Sequence, residues 1–230
     1  KRDKWRMQIK PITKKEIDMS VAIKKFPLTY VELYKLAGDQ LIRFPATFDE
    51  YWTLLKEAEF RADFYQNEII AMSYENETHA DIVTELLYIL KRIFPKRAKQ
   101  YTVFNPNRPV YVKDCKKHAI FNPDGSVVPR PAELYEYSKG MNASVNPILL
   151  FEVLSPSTRS YDFGTKLPCY KDIASLQTIL YVEASEPKVI IMKRLSPNEW
   201  KETVYTKETD TFEVDNQTIT LKEIYLDIHF

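Results

Sequence analysis

One acidic residue interrupts the most apolar segment of the chain. Glu152 lies within PILLFEVL, residues 147–154, where its near neighbours are apolar. A buried carboxylate costs free energy unless it is paired, hydrogen-bonded or bound to a metal. We therefore expect Glu152 to be either one half of a salt bridge at a strand end or a metal-binding or catalytic carboxylate.

A second carboxylate, Asp124, lies in the segment NPDGSVV. Pro-Asp-Gly is a common turn sequence, so Asp124 could be an ordinary turn residue. Together with Glu152 on an adjacent strand, it could instead hold Mg²⁺ or Mn²⁺, because Mg²⁺ keeps several waters and needs only one or two protein carboxylates. Such an ion lowers the pKa of a bound water and stabilises charge on a phosphate.

A lysine follows these two carboxylates in the chain. The spacing Asp162-x-x-x-Lys166 places both side chains on one face of a helix, one turn apart. The pair could be an ordinary surface ion pair. Alternatively, Lys166 points towards the carboxylates, where it would orient or activate a water or neutralise charge in a transition state.

Hydrophobic spacing predicts the elements that position these residues. Thr47 and Glu50 form a capping box before a helix, and Gln66-Asn67 is the turn of a β-hairpin over residues 61–73. The apolar run 147–154 predicts a strand buried on both faces. Helices are predicted over 28–37, 48–58, 79–94 and 162–174, with further strands in MQIKPI (7–12), 101–128, TILYVEA, KVIIMKRL and KETVY.

The order of these elements predicts an α/β or α+β fold, in which a mixed β-sheet core is flanked by helices. Residues 1–45 are interpreted as an N-terminal arm and helix, a helical lead-in, and residues 46–230 as the main domain. The polar segment AELYEYSKGMN, residues 132–142, is predicted to be a surface loop in which Glu133 and Glu136 are solvated.

Composition excludes several classes of protein. With only 4 glycines and no P-loop or G-x-G-x-x-G motif, the chain is not expected to be a P-loop NTPase or a dinucleotide enzyme. The three scattered histidines and two distant cysteines do not have the spacing of zinc ligands. Cys115 and Cys169 are expected to be free, buried thiols in a reducing compartment. No apolar run is long enough for a membrane span and no signal core is visible, so the expected location is the cytoplasm.

The charge is distributed unevenly along the chain. Residues 1–120 contain 22 Lys/Arg and 16 Asp/Glu, a balance of +6, whereas residues 121–230 contain 11 and 16, a balance of −5. The basic half could bind phosphates without reading sequence, although cations also favour helix C-termini through the macrodipole. The candidate phosphate contacts are Lys91, Arg92, Lys96, Arg97 and Lys99.

Taken in order, several segments resemble the Uma-two family of putative restriction endonucleases, within the PD-(D/E)XK nuclease superfamily. The resemblance covers about residues 45–228, and its most specific part is EVLSPST followed by an aspartate, a lysine and a tyrosine. The segments that carry it are ADFYQNEIIAMS, His79 opening a helix, NPDGSVV, PILLFEVLSPSTRSYDFGTKLPCY, TILYVEA and LKEIY.

This resemblance implies a restriction-endonuclease-like fold and a role for each matching residue. Asp124 matches the PD aspartate and Glu152 the acid of the following strand, so both would bind one ion. Many members carry the lysine at the position that is Leu154 here. In this family the lysine has moved to the next helix, which makes Lys166 the candidate, with Tyr170 packing or hydrogen-bonding one turn beyond it.

The hairpin departs from the family pattern. Its first acid is usually a glutamate, but Asp63 stands here, with a reach shorter by about 1.5 Å. Asp63 remains a catalytic candidate that would support the site from the hairpin and contact the metal through a water. Glu68 remains as the second acid of the hairpin. His79, at a helix start, is a candidate for contacting phosphate or ordering the hairpin, or is a helix-start residue without a special role.

These observations predict a metal-dependent endonuclease that hydrolyses phosphodiester bonds in DNA, with Mg²⁺ or Mn²⁺ as cofactor. The resemblance also implies a homodimer, because two DNA strands need two cuts. An alternative is a nuclease-fold protein with weakened catalysis that acts as a DNA-binding or assembly module. A third reading is an unrelated hydrolase or structural protein, which scattered positions for the three site residues would favour.

Overall fold

The computed structural model describes residues 26–72 and 76–230, so the strand predicted at 7–12 lies outside the described residues. The helices are α1 (Tyr30–Ala37), α2 (Phe48–Leu54), α3 (Glu77–Ile93), α4 and α5 (Leu221–Ile224), and a 3₁₀ turn spans Lys96–Ala98. Helix α4 consists of three consecutive segments, Arg159–Tyr161, the π-helical Asp162–Lys166, and Leu167–Lys171.

Fifteen short strands make up most of the rest of the described chain. The first eight are β1 (Ile42–Pro45), β2 (Ala62–Tyr65), β3 (Glu68–Ala71), β4 (Tyr101–Phe104), β5 (Val110–Val112), β6 (Ala119–Phe121), β7 (Gly125–Pro129) and β8 (Leu134–Ser138). The others are β9 (Met141–Ser144), β10 (Leu149–Leu154), β11 (Thr178–Glu183), β12 (Val189–Ser196), β13 (Glu199–Tyr205), β14 (Thr211–Val214) and β15 (Gln217–Thr220).

The strands form two large sheets and one hairpin. One sheet has seven strands in the order β1-β3-β2-β6-β5-β9-β8, and another has six in the order β13-β12-β11-β10-β7-β4. In the six-stranded sheet β10 pairs parallel with β11 and antiparallel with β7, so the predicted mixed sheet flanked by helices is confirmed. Strands β14 and β15 pair only with each other.

Three apolar clusters arrange the helices around these sheets. Helix α3 packs on one face of the six-stranded sheet. Helix α4 packs in a cluster that contains residues of both large sheets, whereas α1 and α2 pack on the seven-stranded sheet. Helix α4 therefore lies between the two sheets.

Strand β10 confirms the prediction of a strand buried on both faces, because all six of its residues are buried. Phe151 and Val153 pack in the cluster with α3, whereas Leu150 and Leu154 pack in the cluster with α4. Strict alternation then turns Glu152 to the α4 side. The carboxylate thus points into the layer between the sheets.

Local sequence motifs predicted the start of a helix and the turn of a hairpin correctly. Thr47 accepts a hydrogen bond from the backbone N–H of Glu50, whose side chain in turn accepts from Thr47, so the capping box begins α2 as predicted. The β2–β3 hairpin turns at Gln66 and Asn67 with φ of 51° and 60°. Two successive positive φ values are typical of the type I′ turn that joins antiparallel strands.

Two predicted elements differ from the structure. The surface loop predicted at 132–142 is the β8–β9 hairpin, because Tyr137 stacks on Trp52 with ring centroids 5.1 Å apart and Tyr135 on Tyr111 at 4.1 Å. These aromatic contacts are non-local, so the polar sequence gave no sign of them. The helix predicted over 162–174 begins earlier and ends at Lys171.

The prediction of two free thiols is wrong. Cys115 and Cys169 form a disulfide, with their Cα atoms 5.3 Å apart, although 54 positions separate them in the sequence. The loop after β5 lies against α4 in the folded chain, and sequence spacing cannot report that proximity. The cytoplasmic location, which was expected partly from free cysteines, stays a prediction.

No helix in the described part of the chain is long and apolar enough to cross a membrane. Strand β1 ends at the boundary predicted between the N-terminal lead-in and the main domain, and it pairs with β3. The division of the chain at residue 45 stays a prediction.

Candidate functional site

The predicted site residues come together in a cleft of about 620 Å³. Asp63 reaches it from β2, Glu152 from β10 and Lys166 from the π-helical part of α4. Asp124 reaches it from the segment that joins β6 to β7. Since β2 belongs to the seven-stranded sheet and β10 to the six-stranded sheet, both sheets contribute to one site.

Lys166 lies at the centre of the acidic side chains. Its Nζ is 3.1 Å from Oε1 of Glu152, 3.0 Å from Oδ1 of Asp162 and 3.8 Å from Oδ2 of Asp63. Lys166 is 4% exposed and Asp162 is 2% exposed, so their pairing is buried and is not the surface ion pair that helical spacing alone allowed. Burial opposes the charge on Lys166, but the facing carboxylates outweigh it and raise the pKa of the ammonium well above its usual value.

Glu152 accepts a second hydrogen bond on the same oxygen. The hydroxyl of Tyr170 donates to Oε1 at 2.5 Å, beside the bond from Lys166. Burial raises the pKa of Glu152 to about 8, although the charge of Lys166 partly opposes this. Burial likewise raises the pKa of Asp162. Glu152 and Asp162 therefore keep their protons to higher pH than carboxyls in water do.

Asp124 is held on both sides. Its Oδ2 accepts a hydrogen bond of 2.7 Å from the backbone N–H of Val153 and lies 3.3 Å from Nε2 of His79. Burial disfavours the charged carboxylate, but the hydrogen bond and charge of His79, together with Lys166, outweigh it and lower the pKa of Asp124. Asp124 and Glu152 thus have pKa values shifted in opposite directions within one cleft.

The glycine after Asp124 has a steric role. Gly125 pairs with Phe151 across β7 and β10, and a Cβ atom at this position would overlap the ring carbons Cε1 and Cζ of Phe151. Only glycine lets the two strands approach this closely without moving the buried ring. The Pro-Asp-Gly sequence therefore positions Asp124 through close packing as well as through turn chemistry.

Asp63 connects the hairpin to the rest of the site. Its Oδ1 accepts from the backbone N–H of Asn122 at 2.7 Å and from the Asn122 side chain at 3.0 Å, and its Oδ2 accepts from the Tyr161 hydroxyl at 3.0 Å. Both carboxylate oxygens are thus engaged by protein groups. In this position Asp63 ties β2 to the segment that carries Asp124 and to α4.

The π-helical segment brings Asp162 and Lys166 into the cleft. A π-turn is wider than an α-turn and occurs mostly as a short insertion at functional sites. Here the backbone N–H of Leu167 donates to the carbonyl of Asp162, five residues earlier, at the end of this segment. Helical periodicity in the sequence cannot reveal such a local widening.

His79 lies at the start of α3, which Asn76 caps by accepting the His79 backbone N–H at 2.9 Å. The cap places the imidazole beside Asp124. Glu68, in contrast, forms an ion pair of 3.0 Å with Arg43 and is not among the residues that line the cleft. The exposed side chains of Glu133 and Glu136 agree with the prediction that they are solvated.

The five basic candidates lie at the other end of α3. His79 is in its first turn, whereas Lys91 and Arg92 are in its last turn and the others follow in or just after the 3₁₀ turn. None of the five lines the cleft that contains Glu152. At a rise of 1.5 Å per residue, the fourteen steps from position 79 to position 93 span roughly 21 Å.

Sequence reasoning missed several residues of the cleft. The sequence indicates Asp162 only as a partner of Lys166, and it gives no signal that Asn122 and Tyr161 belong to the site. Residues of the N-terminal lead-in also form one wall of this cleft, and no local sequence signal indicates this. These lining residues are Tyr30, Asp39, Gln40 and Leu41.

Within residues 26–72 and 76–230, no group of three or more His, Cys, Asp or Glu side chains has the arrangement of a metal-binding cluster. A cation in the cleft would therefore be held by two carboxylates and water, which is within the ordinary coordination of Mg²⁺. Asp124 and Glu152 are suited to this, since both are buried and lie in the same cleft.

Comparison with known proteins points to the same part of the chain. The sequence model of the family Uma2, described as "Putative restriction endonuclease", matches residues 48–222. An uncharacterized protein of Synechocystis sp. is 25% identical over 156 residues, which are 67% of this chain and 84% of that protein.

A solved structure has a similar fold. The crystal structure of a putative nuclease belonging to DUF820, from Anabaena variabilis, superposes with a TM-score of 0.62 at 19% sequence identity. The match covers 79% of this chain and 98% of that chain. At this identity the likeness concerns the fold, which is the nuclease-like fold expected from the sequence.

Proposed function

Because this chain belongs to the Uma2 family of putative restriction endonucleases, we propose that it is a metal-dependent endonuclease that hydrolyses phosphodiester bonds in DNA. The observation that carries the proposal is the convergence of Asp124, Glu152 and Lys166 in one cleft from three separate parts of the chain. Scattered positions for these three side chains would instead have favoured an unrelated hydrolase or structural protein.

The charge of the cleft fits a divalent cation. Three buried carboxylates, those of Asp63, Glu152 and Asp162, lie within 3.8 Å of the buried Lys166 ammonium, and a fourth, that of Asp124, pairs with His79. Burial, together with the charges of Asp162 and Asp124, raises the pKa of Glu152 to about 8, and a divalent cation would oppose this by stabilising the ionised carboxylate. We assign Asp124 and Glu152 as the residues that would hold Mg²⁺ or Mn²⁺. A bound divalent cation supplies positive charge for the phosphate and lowers the pKa of its water.

Lys166 acts through its charge in this proposal. A general base must be able to lose its proton near the working pH. The carboxylates around Lys166 raise its pKa well above the usual range, so its amine stays protonated and is a poor proton acceptor. The ammonium is instead suited to stabilising the negative charge that develops on the phosphate during cleavage.

The neighbouring side chains position these groups. Tyr170 and Lys166 hold the Glu152 carboxylate through Oε1, and Asp162 holds Lys166 from one helical turn away. His79 and the backbone of Val153 hold Asp124. DNA as the substrate, a homodimer and a cytoplasmic location are part of the same proposal.

One observation favours the second candidate, a nuclease-fold protein that binds DNA or assembles without efficient cleavage. Both oxygens of Asp63 already accept hydrogen bonds from Asn122 and Tyr161, and the ammonium of Lys166 contacts Oε1 of Glu152 at 3.1 Å. An ammonium in that position competes with a cation for the carboxylate. Weak metal affinity would therefore turn the same site into a structural charge cluster.

Cleavage of supercoiled plasmid in Mg²⁺ and in Mn²⁺ tests the proposal. Wild type is compared with Glu152→Gln and with the control Glu136→Gln, which removes an exposed acid from β8. We expect wild type and the control to cut and Glu152→Gln to lose about 10²-fold or more in rate, as for removal of one positioned catalytic group. Equal cutting by all three proteins would contradict the assignment.

If none of the proteins cuts, calorimetric titration with Mn²⁺ separates the two candidates. Binding by wild type that Glu152→Gln abolishes would keep the metal site and point to a more specialised substrate. Absence of binding by wild type would favour the DNA-binding or assembly module.

A further inference from the structure

A second cleft of about 510 Å³ lies at the C-terminal end of α3, and it shares no residue with the first. Four cations surround it, and no Asp or Glu is among its described lining residues. The cations are Lys91, Lys96, Arg97 and Arg130, all with exposed side chains. Such a one-sided distribution of charge attracts anions.

The bottom of this cleft is apolar and aromatic. Tyr101 is partly exposed, and the edge of one ring packs against the face of the other in its pair with Phe94, with centroids 5.3 Å apart. Phe94 is buried, so the tyrosine ring is fixed from one side. Strand β4, which carries Tyr101, is an edge strand of the six-stranded sheet, so no strand of the described chain pairs with its outer side.

Helix-end preference does not account for the whole group of cations. Lys91 lies in the last turn of α3 and Lys96 and Arg97 follow the end of this helix, where cations interact favourably with the macrodipole. Arg130 comes from a different element, directly after β7, and its guanidinium donates a hydrogen bond to the hydroxyl of Thr102 on β4. Two separate parts of the chain thus direct positive charge towards the same aromatic surface.

We propose that this basic cleft is a second binding site for a nucleic-acid strand, distinct from the site of Glu152. Phosphates would contact the four cations, and a base would stack on Tyr101. Cationic grooves with aromatic side chains are the arrangement by which proteins hold single strands without reading sequence. A partner that offered charge alone would make no use of the partly exposed ring of Tyr101.

This inference rests on the proposed function for its choice of ligand, because a substrate strand would extend from the first cleft. The two clefts lie at opposite ends of α3, roughly 20 Å apart along its axis. The basic cleft would therefore hold the substrate at some distance from the bond to be cut. Oligonucleotides shorter than this distance could occupy only one cleft at a time.

The test measures binding in the absence of cleavage. A fluorescein-labelled 15-nucleotide oligo(dT) is titrated with protein in EDTA at several salt concentrations, and its anisotropy is recorded. The double variant Lys96→Ala/Arg97→Ala is compared with Lys201→Ala/Lys207→Ala, which removes two exposed lysines elsewhere on the surface. We expect the first pair to weaken binding about tenfold or more and to lower the salt dependence by roughly 1.4, whereas the control pair changes neither.

A separate variant tests stacking. Tyr101→Leu keeps an apolar side chain against Phe94 but removes the aromatic face. We expect it to weaken binding about fivefold or more without changing the salt dependence, because stacking of a base involves no counterion release. Equal affinity of Lys96→Ala/Arg97→Ala and the control pair would overturn the proposal. Full retention of affinity by Tyr101→Leu, together with equal displacement of the probe by inorganic polyphosphate, would show an unspecific anion site and overturn it as well.

Failure of this inference can be told apart from failure of the proposed function. Repeating the titration with Glu152→Gln keeps the measurement independent of any cleavage. If binding depends on Lys96 and Arg97 but the wild type neither cuts DNA nor binds Mn²⁺, the basic cleft stands and the proposed endonuclease is contradicted. If the wild type cuts DNA in Mg²⁺ but its binding does not depend on Lys96 and Arg97, the endonuclease stands and the proposed basic cleft is contradicted.

Discussion

Lys166 Nζ lies 3.1 Å from Oε1 of Glu152, although one residue belongs to a helix and the other to a strand buried on both faces. The contact is possible because Glu152 is turned towards α4 and because the π-helical segment directs Lys166 back to the sheet. Each residue would be costly to bury alone. Together they form the centre of the candidate site.

Replacement of Lys166 by methionine removes the positive charge but keeps a side chain of similar length, so it tests whether the charge itself is needed for cleavage. Lys166→Met keeps the length of the side chain but leaves Glu152 and Asp162 without their cation. We expect cleavage to fall by about 10²-fold or more, since charge on the phosphate is no longer stabilised. Unfolding by urea should show a loss of about 3 kcal/mol, because one partner of a buried ion pair is removed.

Lys201→Met is the matched control, because Lys201 is exposed on β13 and lies in neither cleft. It should change neither cleavage nor stability beyond about 0.5 kcal/mol. Cleavage by Lys166→Met at the rate of this control would contradict the role given to the ammonium.

The raised pKa of Glu152 predicts a specific dependence of stability on pH. The usual pKa of this carboxyl is 4.5, and burial raises it to about 8 in the folded protein. Between these values the folded state binds more protons than the unfolded state, so the contribution of Glu152 to stability is fully present below pH 4.5 and is lost as the pH rises to about 8. Glu152→Gln does not titrate, so its stability relative to wild type should increase over this window.

Urea unfolding of both proteins with EDTA, measured between pH 4.5 and pH 8.5, gives this difference directly. Each unit of pKa shift corresponds to about 1.4 kcal/mol, so the total change should reach several kcal/mol. The free energy of unfolding of the control Glu136→Gln should depend on pH in the same way as that of wild type. A constant difference between Glu152→Gln and wild type would mean that Glu152 ionises as it does in water.

Gly125 predicts a packing effect on the site. The Cβ of Gly125→Ala would overlap the ring of Phe151, which is fully buried and cannot rotate away freely. We expect a loss of about 1–3 kcal/mol in the free energy of unfolding, as for other overpacked cores. Asp124, the neighbouring residue, should be displaced, so that cleavage falls more than the remaining folded fraction explains.

Gly164→Ala provides the comparison, since an added Cβ there meets no atom within 4 Å. This change in α4 should be neutral or stabilise the protein by up to about 1 kcal/mol, because alanine favours helical backbone. A second variant, Gly125→Ala/Phe151→Leu, should recover part of the lost stability if the ring is the cause. Equal stability of Gly125→Ala and Gly164→Ala would refute the packing argument.

The sequence indicated the carboxylates well because their environment is local. An acid among six apolar neighbours, as for Glu152, is unusual in any fold, and the alternation of a strand determines which way it points. The capping box at Thr47 and the Gln66-Asn67 turn are also local signals, and both were predicted correctly. Family resemblance then selected Lys166, which helical spacing alone would have left as a surface lysine.

Other features depend on contacts between distant parts of the chain. The burial of Asp162 follows from the position of α4 between two sheets, and the Cys115–Cys169 disulfide follows from the loop that packs against that helix. The widening of the helix at 162–166 changes the direction of side chains without changing their spacing in the sequence. None of these leaves a periodic pattern, so they could be seen only in the folded chain.

The passage of the chain from β6 to β7 joins the two large sheets at the candidate site. Asn122, before the crossing, holds Asp63 of one sheet, and Asp124, after it, holds the backbone of Val153 in the other. Residues 122–124 thus connect the two large sheets through hydrogen bonds to both. Any force or partial unfolding that parts the sheets must dismantle the cleft first, so loss of function should precede loss of helix content as the protein is destabilised.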